Sequence, residues 1–301
     1  MHDTRSVVDV LLTVRDLVRY GVSRFTEAKL FFGHGSDNAW DESVYLVLHA
    51  LHLPPDQLEP FLDARLLPTE RERAVDLIQR RCDSRLPAPY LTQESWLQGY
   101  RFFVDQRVII PRSPIAELVV QHLQPWIGEP QSIERVLDMC TGSGCLAIIA
   151  AHEFEHATVD AVDLSGDALA VAAINVKDHG LGDRITLIQS NLFESIPHGR
   201  CYDLIICNPP YVNSHSMNQL PPEYQHEPEQ ALAGGADGMV LVREILRKAP
   251  EHLTDNGYLV LEIGHEIEHF EAAFPEIVPI WLDAGESNEQ ILLLHREQLL
   301  T

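Results

Sequence analysis

The 301-residue sequence is poor in cysteine, short of positive charge and free of long apolar runs. Its five cysteines (Cys82, Cys140, Cys145, Cys201, Cys207) are odd in number, scattered and never spaced C-x-x-C. That spacing argues against a disulfide framework or a structural zinc site, and the thiols read as reduced and mostly buried. No apolar stretch approaches the length a membrane span needs. The N-terminal "MHDTRSVVDVLLTV" mixes charges with its apolar residues, so it reads as a helix of the mature protein rather than a signal peptide, and the expected location is the cytoplasm. Lysine and arginine number 22 against 45 acids, a net charge of −23. The deficit is uneven: residues 1–105 carry 12 basic and 16 acidic side chains, residues 106–301 carry 10 and 29. A surface of that sign repels nucleic-acid phosphates and favours a basic partner, although solubility alone would also account for it.

What is present is a globular composition, 45% hydrophobic and 22% charged, in a chain long enough for two domains. Up to about residue 86 the apolar residues recur every three or four positions in "RSVVDVLLTVRDLVRYGV", "AWDESVYLVLHALHL" and "TERERAVDLIQRRCDSRL". "FGHGSDN" and "LPPDQ" separate them, and Thr69 with Glu72 fits a capping box opening the third helix. These features predict a helical domain over residues 1–95. "SWLQGYRFFVDQRVIIPRSP" then turns aromatic and β-branched around Gly99 and Asp105, which predicts a β-hairpin linker over 96–110. Over 111–301, strand-like "RVLDMC", "ATVDAVDL", "RITLIQS", "YDLIICN" and "GYLVLEIG" alternate with helical segments, which predicts an α/β fold with a parallel sheet wrapped by helices. "VPIWLDAG" and "QILLLHR" are separated only by "ESNE", too short for a crossover helix, so they are expected to pair antiparallel.

"LDMCTGSGCLA" runs from a predicted strand into a helix, with Gly142 and Gly144 where the chain must bend and let a ligand approach. With Ala147, and with Asp163 closing the next strand 19 residues after Gly144, it also satisfies the dinucleotide fingerprint, so the glycines alone do not choose the cofactor. Asp138 favours S-adenosylmethionine: its carboxylate suits the amino-acid end of that molecule and would repel a pyrophosphate. Asp163 is placed to accept from both ribose hydroxyls, and Asn191 to face the adenine edge. Thr141, Leu164 and Leu192 complete the expected cofactor-binding set. The plainer reading is that Asp138 and Asn191 only cap helices.

Why should the apolar strand "YDLIIC" end in "NPPY"? In an open parallel sheet ligands bind beyond the carboxyl ends of the strands, so Asn208 at such an end is expected to border the cofactor's methyl group. Proline removes the amide donor and fixes φ, which holds the carbonyls of Asn208 and Pro209 in set directions. A planar NH2 whose lone pair is delocalised into a carbonyl or ring is a poor nucleophile. The Asn208 side-chain oxygen and the Pro209 carbonyl could bind its two hydrogens, orient it and draw off developing positive charge. Pro210 stiffens the turn and the Tyr211 ring offers a packing face. An isolated N-P-P would be read as a mere turn. Its place after a glycine turn and a ribose-type aspartate, on successive strands, makes the catalytic reading the stronger one.

In "IIPRSPIAEL", "LDMCTGSGCLAI", "AVDLSGDALAVA", "SNLF", "CNPPYV", "HEPEQALAGGADGM" and "LEIG", the chain resembles the N(5)-glutamine methyltransferases over nearly its whole length. "RFTEAKLFFGHGSDNAWDES" and "PRSP" are similar to the branch that modifies a glutamine of large-subunit ribosomal protein L-three. The resemblance implies a Rossmann-like class I methyltransferase sheet, mostly parallel with its last strand antiparallel, behind a small N-terminal helical domain that recognises the substrate. It also implies S-adenosylmethionine as cofactor, a glutamine amide held by Asn208, Pro209 and Tyr211, and a cofactor pocket including Gly142, Asp163 and Asn191. Asn191 departs from the aspartate common at that position.

Release factors are the alternative protein substrates. A DNA adenine-N6 methyltransferase shares the N-P-P-Y chemistry but needs clustered basic residues, which the acidic catalytic half lacks. A nicotinamide oxidoreductase has no use for Asn208 beside two prolines, and a non-catalytic scaffold no need of these groups in register. "HEIEH" (His265, Glu266, His269) matches a zinc-hydrolase signature but follows a strand instead of lying within a long helix, and reads as a solvated helix start. "RERAVDLIQRRCDSR" is open to a weak contact with ribosomal RNA, although arginines on an amphipathic helix usually form its wet face.

Overall fold

The computed structural model describes residues 4–285 and 290–300. The "ESNE" connection, residues 286–289, lies outside them, as do residues 1–3 and 301. The chain forms two compact units, Met1–Glu94 with Pro221–His226, and Ser95–Leu220 with Glu227–Thr301.

The first unit contains α1 (Thr4–Val10), α2 (Val14–Glu27), α3 (Ala39–Ala50), α4 (Pro68–Ser84) and α5 (Ala88–Thr92). The first apolar repeat, expected as one helix, is two. Thr13 Oγ1 accepts from Asp16 N at 3.2 Å while Asp16 Oδ2 accepts from the amides of Thr13 and Leu12 at 3.0 Å. This capping box starts a new helix although the apolar periodicity runs through it. The Thr69–Glu72 capping box is also corrected. The helix begins at Pro68, and Glu70 reaches back to the Leu67 amide at 2.8 Å, because proline suits the first helical position and Glu70 stands at the third.

Leu17, Val18, Phe25, Leu46, Val47 and Ile78 form the centre of this unit's core. Gly21 lets α2 and α3 close up, since a Cβ there would lie 2.1 Å from Ser43 Oγ. The arginine-rich stretch is not simply a wet face. Arg81 is fully buried against Glu42 at 2.7 Å, and Arg71 is buried with its guanidinium donating to the Val8 carbonyl at 2.7 Å. Within the same unit Glu223 is fully buried, accepts from Phe31 N at 3.0 Å and pairs with Arg85 at 2.6 Å and Arg81 at 3.8 Å.

The second unit opens with β1 (Ser95–Leu97) and β2 (Tyr100–Phe102), an antiparallel hairpin whose turn residues Gln98 and Gly99 both have left-handed φ, 50° and 80°. Two such residues give the turn whose twist matches paired strands. There follow α6 (Ile115–Val120), β3 (Arg135–Met139), α7 (Cys145–Glu153), β4 (Thr158–Asp163), α8 (Gly166–Asp178), β5 (Ile185–Gln189) and β6 (Tyr202–Cys207). Beyond them lie β7 (Val212–Asn213), α9 (Ser214–Met217), β8 (Ala233–Gly235), α10 (Val240–Lys248), β9 (Leu253–Gly264), α11 (Ile267–Ala273), β10 (Ile280–Leu282) and β11 (Gln290–His295).

Seven strands form one sheet in the order β10-β11-β9-β6-β3-β4-β5. β9, β6, β3, β4 and β5 pair in parallel, while β11 is antiparallel to both β9 and β10. This is the expected α/β sheet, and the two last strands pair as expected. The central strand β6 is buried from Leu204 to Cys207, and Cys145 to Ala151 of α7 are buried too, so neither needs a polar face. All five cysteines are free thiols, but only Cys145 and Cys207 are fully buried. No helix among the described residues is long and apolar enough to cross a membrane.

Candidate active site

The parallel register pairs Met139 of β3 with Cys207 of β6, so the glycine turn and Asn208 leave adjacent strands at the same level. Asp138, Gly142, Asp163 and Asn208 thereby gather at the carboxyl edge of β3, β4 and β6, where open parallel sheets bind ligands.

Asp138 is fully buried. Its Oδ2 accepts from Thr141 Oγ1 at 2.5 Å and from Ala147 N, in the first turn of α7, at 2.9 Å. Its Oδ1 has no hydrogen-bond partner among the described residues. Burial pushes this carboxyl up to about 7, against the opposing pull of those two hydrogen bonds. Asp138 therefore does cap a helix, and it also keeps one buried acceptor in reserve. Asp163, at the end of β4, accepts from Gly142 N at 2.9 Å and Ser165 N at 2.8 Å, which ties the glycine turn to the next strand. Burial raises its pKa as well, and the backbone donors counteract the rise.

The two glycines differ. Gly142 has φ 55°, and a Cβ there would meet only Ile109 Cγ2 at 3.8 Å, leaving its face open to a ligand. Gly144 has φ 81°, and its added Cβ would lie 3.2 Å from Ala172 Cβ, so it serves packing of α8. Leu164 is exposed, and Leu192 takes a left-handed φ of 49°. Asn191 is exposed and donates to Glu194 Oε1 at 2.9 Å within its own turn. The buried acceptor on Asp138, the open Gly142 and the Asp163 carboxylate fit the ammonium, backbone approach and ribose of S-adenosylmethionine.

At the end of β6, Asn208 is half-buried and Pro209 buried. Sequence reasoning missed what surrounds them. Tyr211 donates its phenol proton to Glu262 Oε1 at 2.9 Å, and Ser113 Oγ reaches Glu262 Oε2 at 2.5 Å. Arg112 forks onto Glu227 at 2.6 and 2.8 Å, and Glu227 Oε1 also accepts from Ile110 N at 3.0 Å. Glu262 of "LEIG" thus ties "PRSP" to "NPPY", and Glu227 of "HEPEQ" holds "PRSP" from its other side. The one signal available was an acid inside each apolar or loop motif.

Glu266 corrects the reading of "HEIEH" as a solvated helix start. It is buried, accepts from Asn213 Nδ2 at 2.7 Å and pairs with His269, securing the chain just after Tyr211. Among the described residues no three histidine, cysteine or acidic side chains gather as a metal site.

A seven-stranded sheet of this order, with a glycine turn on β3 and N-P-P-Y on β6, defines a methyltransferase domain, and the methyltransferase small domain family model matches residues 115–223. A ribosomal protein uL3 glutamine methyltransferase from Bordetella pertussis is 66% identical over 97% of this chain and 97% of its own. One from Burkholderia pseudomallei is 56% identical over 95% of each. The chain belongs to the ribosomal protein uL3 glutamine methyltransferase family. Among solved structures the hMettl16 catalytic domain has a TM-score of 0.50 at 16% identity, covering 74% of this chain and 80% of that one, a likeness of fold alone.

Proposed function

We propose that this chain methylates the side-chain amide nitrogen of a glutamine in the large-subunit ribosomal protein uL3, using S-adenosylmethionine, in the cytoplasm. The observation that carries the chemistry is the level pairing of β3 with β6, which sets the Asn208-Pro-Pro-Tyr211 acceptors beside the glycine turn. When bound, S-adenosylmethionine supplies an electrophilic methyl group on a positively charged sulfur. Asp138 Oδ1 would hold its ammonium, Asp163 its ribose hydroxyls, and Gly142, with Thr141, Leu164, Asn191 and Leu192 around it, the rest of the pocket. Asn208 Oδ1 and the Pro209 carbonyl accept the two amide hydrogens, which orients the nitrogen toward the methyl carbon and steadies the charge that develops there. The Tyr211 ring packs on the amide plane.

Any exposed glutamine presents the same amide, so this site alone cannot choose among proteins. Residues 1–95, with the hairpin after them, serve that choice, and the acidic 106–301 region draws a basic ribosomal protein. A weak ribosomal RNA contact rests on the exposed Arg73 and Arg80. Incubating the protein with methyl-labelled S-adenosylmethionine and separate pools of ribosomal proteins, release factors and DNA tests the reading. Label on one glutamine of uL3 is expected; label on a release factor or on DNA instead would overturn it. Asn208→Ala is expected to abolish most transfer while leaving cofactor affinity nearly intact, and normal turnover would remove Asn208 from the chemistry.

A further inference from the structure

Glu262 is 2% exposed and lies on β9, one residue beyond Leu261, which pairs with Cys207. Its carboxylate therefore sits level with Asn208, in the interior of the sheet's carboxyl edge. Burying a carboxylate is costly unless hydrogen bonds offset it, and an apolar residue would fill the position at less expense. Its two oxygens take the hydroxyls of Tyr211 and Ser113. Ser113, itself 4% exposed, also accepts from Ile115 N at 3.3 Å, which anchors it to the start of α6.

The other end of Tyr211 is fixed as firmly. Val212 N donates to the Leu232 carbonyl at 2.9 Å, pairing β7 with β8. Two glycines then close on the tyrosine backbone: a Cβ at Gly234 would lie 2.7 Å from its Cα, and one at Gly238 would lie 2.3 Å from its carbonyl oxygen. "AGGADGM" is the wall against which Tyr211 is pressed. With the main chain clamped and the hydroxyl tied inward, the ring axis has one direction.

We propose that Glu262 is a positioning residue for methyl transfer: by holding the Tyr211 hydroxyl, with Ser113 steadying its other oxygen, it sets the direction of the axis of the ring on which the substrate amide packs. This rests on the function proposed above. Glu262 acts through Tyr211, so its contribution is the orientation of the ring and not its charge. Glutamine at this position can still accept from Tyr211 through Oε1 and donate to Ser113 through Nε2, whereas leucine can do neither.

Glu262→Leu and Tyr211→Phe are each expected to lower kcat about tenfold, the scale of one lost buried hydrogen bond, with S-adenosylmethionine affinity unchanged within about twofold. The double variant should be no slower than either single one, and Glu262→Gln should recover most of the loss. Additive losses, or a glutamine variant as slow as the leucine one, would overturn the proposal. A second measurement needs neither substrate nor cofactor: exchange of the Tyr211 hydroxyl proton with water, followed by NMR of tyrosine-labelled protein, should be slow in the parent and fast in Glu262→Leu. Equal exchange in both would sink the positioning role whatever protein the enzyme modifies. Absence of transfer to uL3 by the parent would instead count against the proposed function. Tyr211→Phe removes the same hydrogen bond from the half-buried side and keeps the kinetic test decisive if Glu262→Leu does not fold.

Discussion

Asp138 is the residue at which burial, helix capping and the proposed cofactor chemistry meet. Its folded pKa of about 7 lies above the ordinary aspartate value of 3.8, so the folded chain holds a proton the unfolded chain has released. The sign follows: this group's contribution to stability is fully present below about pH 4 and is lost as pH rises through about 7. A cofactor ammonium beside Oδ1 reverses the preference, because a neighbouring cation favours the ionised carboxylate. S-adenosylmethionine affinity is therefore expected to increase from about pH 6 to about pH 8, and calorimetry should show Asp138→Asn weaker and flat across that range. Asp163 is also raised by burial and faces the same turn, so a slope that persists in Asp138→Asn would transfer the effect to Asp163. Asp138, Asp163 and Asn208 stood out as candidates in the sequence because each lies within one residue of the end of a strand beside a turn motif. Glu262 and Glu227 did not. Their partners Tyr211, Ser113 and Arg112 lie 51, 149 and 115 positions away, and no local pattern announces a contact at that range.

At the scale of elements, periodicity located the helices and strands while side-chain caps set their ends. The division of the first apolar repeat was written in Thr13 and Asp16, but a stripe of apolar residues running straight through it concealed the break. A hairpin at Gly99 followed from the aromatic and β-branched residues around it, and the antiparallel last pair from connection length. The segment from β8 to the start of α10 was illegible in a different way: its glycines announce no partner, yet Gly234 and Gly238 are required by the tyrosine backbone they touch. Gly238 has φ 75°, so alanine there meets both a strained backbone and the Tyr211 carbonyl. Gly238→Ala is expected to lower stability by about 1–3 kcal/mol in denaturant titration and to cut transfer more than cofactor binding. Gly180→Ala, at φ 69° with nothing within 4 Å of the added Cβ, carries the strain without the clash and controls for it. Equal effects on transfer would mean that contact with Tyr211 is not what the glycine serves.

At the scale of the whole molecule, chain order and compact units disagree at one place, and that place decides how specificity can be tested. Pro221–His226 follows the N-P-P-Y strand in sequence but belongs to the helical unit, where Glu223 is buried against Arg81 and Arg85. Removing the cationic partners of a buried carboxylate costs about 3–5 kcal/mol, far more than any exposed pair contributes. A chimera that takes only residues 1–94 from a release-factor methyltransferase without cations at positions 81 and 85 therefore strands Glu223 and should unfold early. One that exchanges Pro221–His226 as well should keep the parent's stability. If the helical unit selects the substrate, this second chimera loses activity on uL3 while its cofactor affinity is unchanged. Under the proposed function the acidic residues of 106–301 would act separately, drawing a basic protein through a field that salt screens, with a Debye length of about 8 Å at physiological ionic strength. Added salt should raise KM for uL3 in the parent, and by the same factor in the chimera for whatever basic protein it still accepts. A stable second chimera that methylates uL3 as well as the parent would move selection out of the helical unit and into the parts of the loop from Asn213 to Ala236 that were not exchanged.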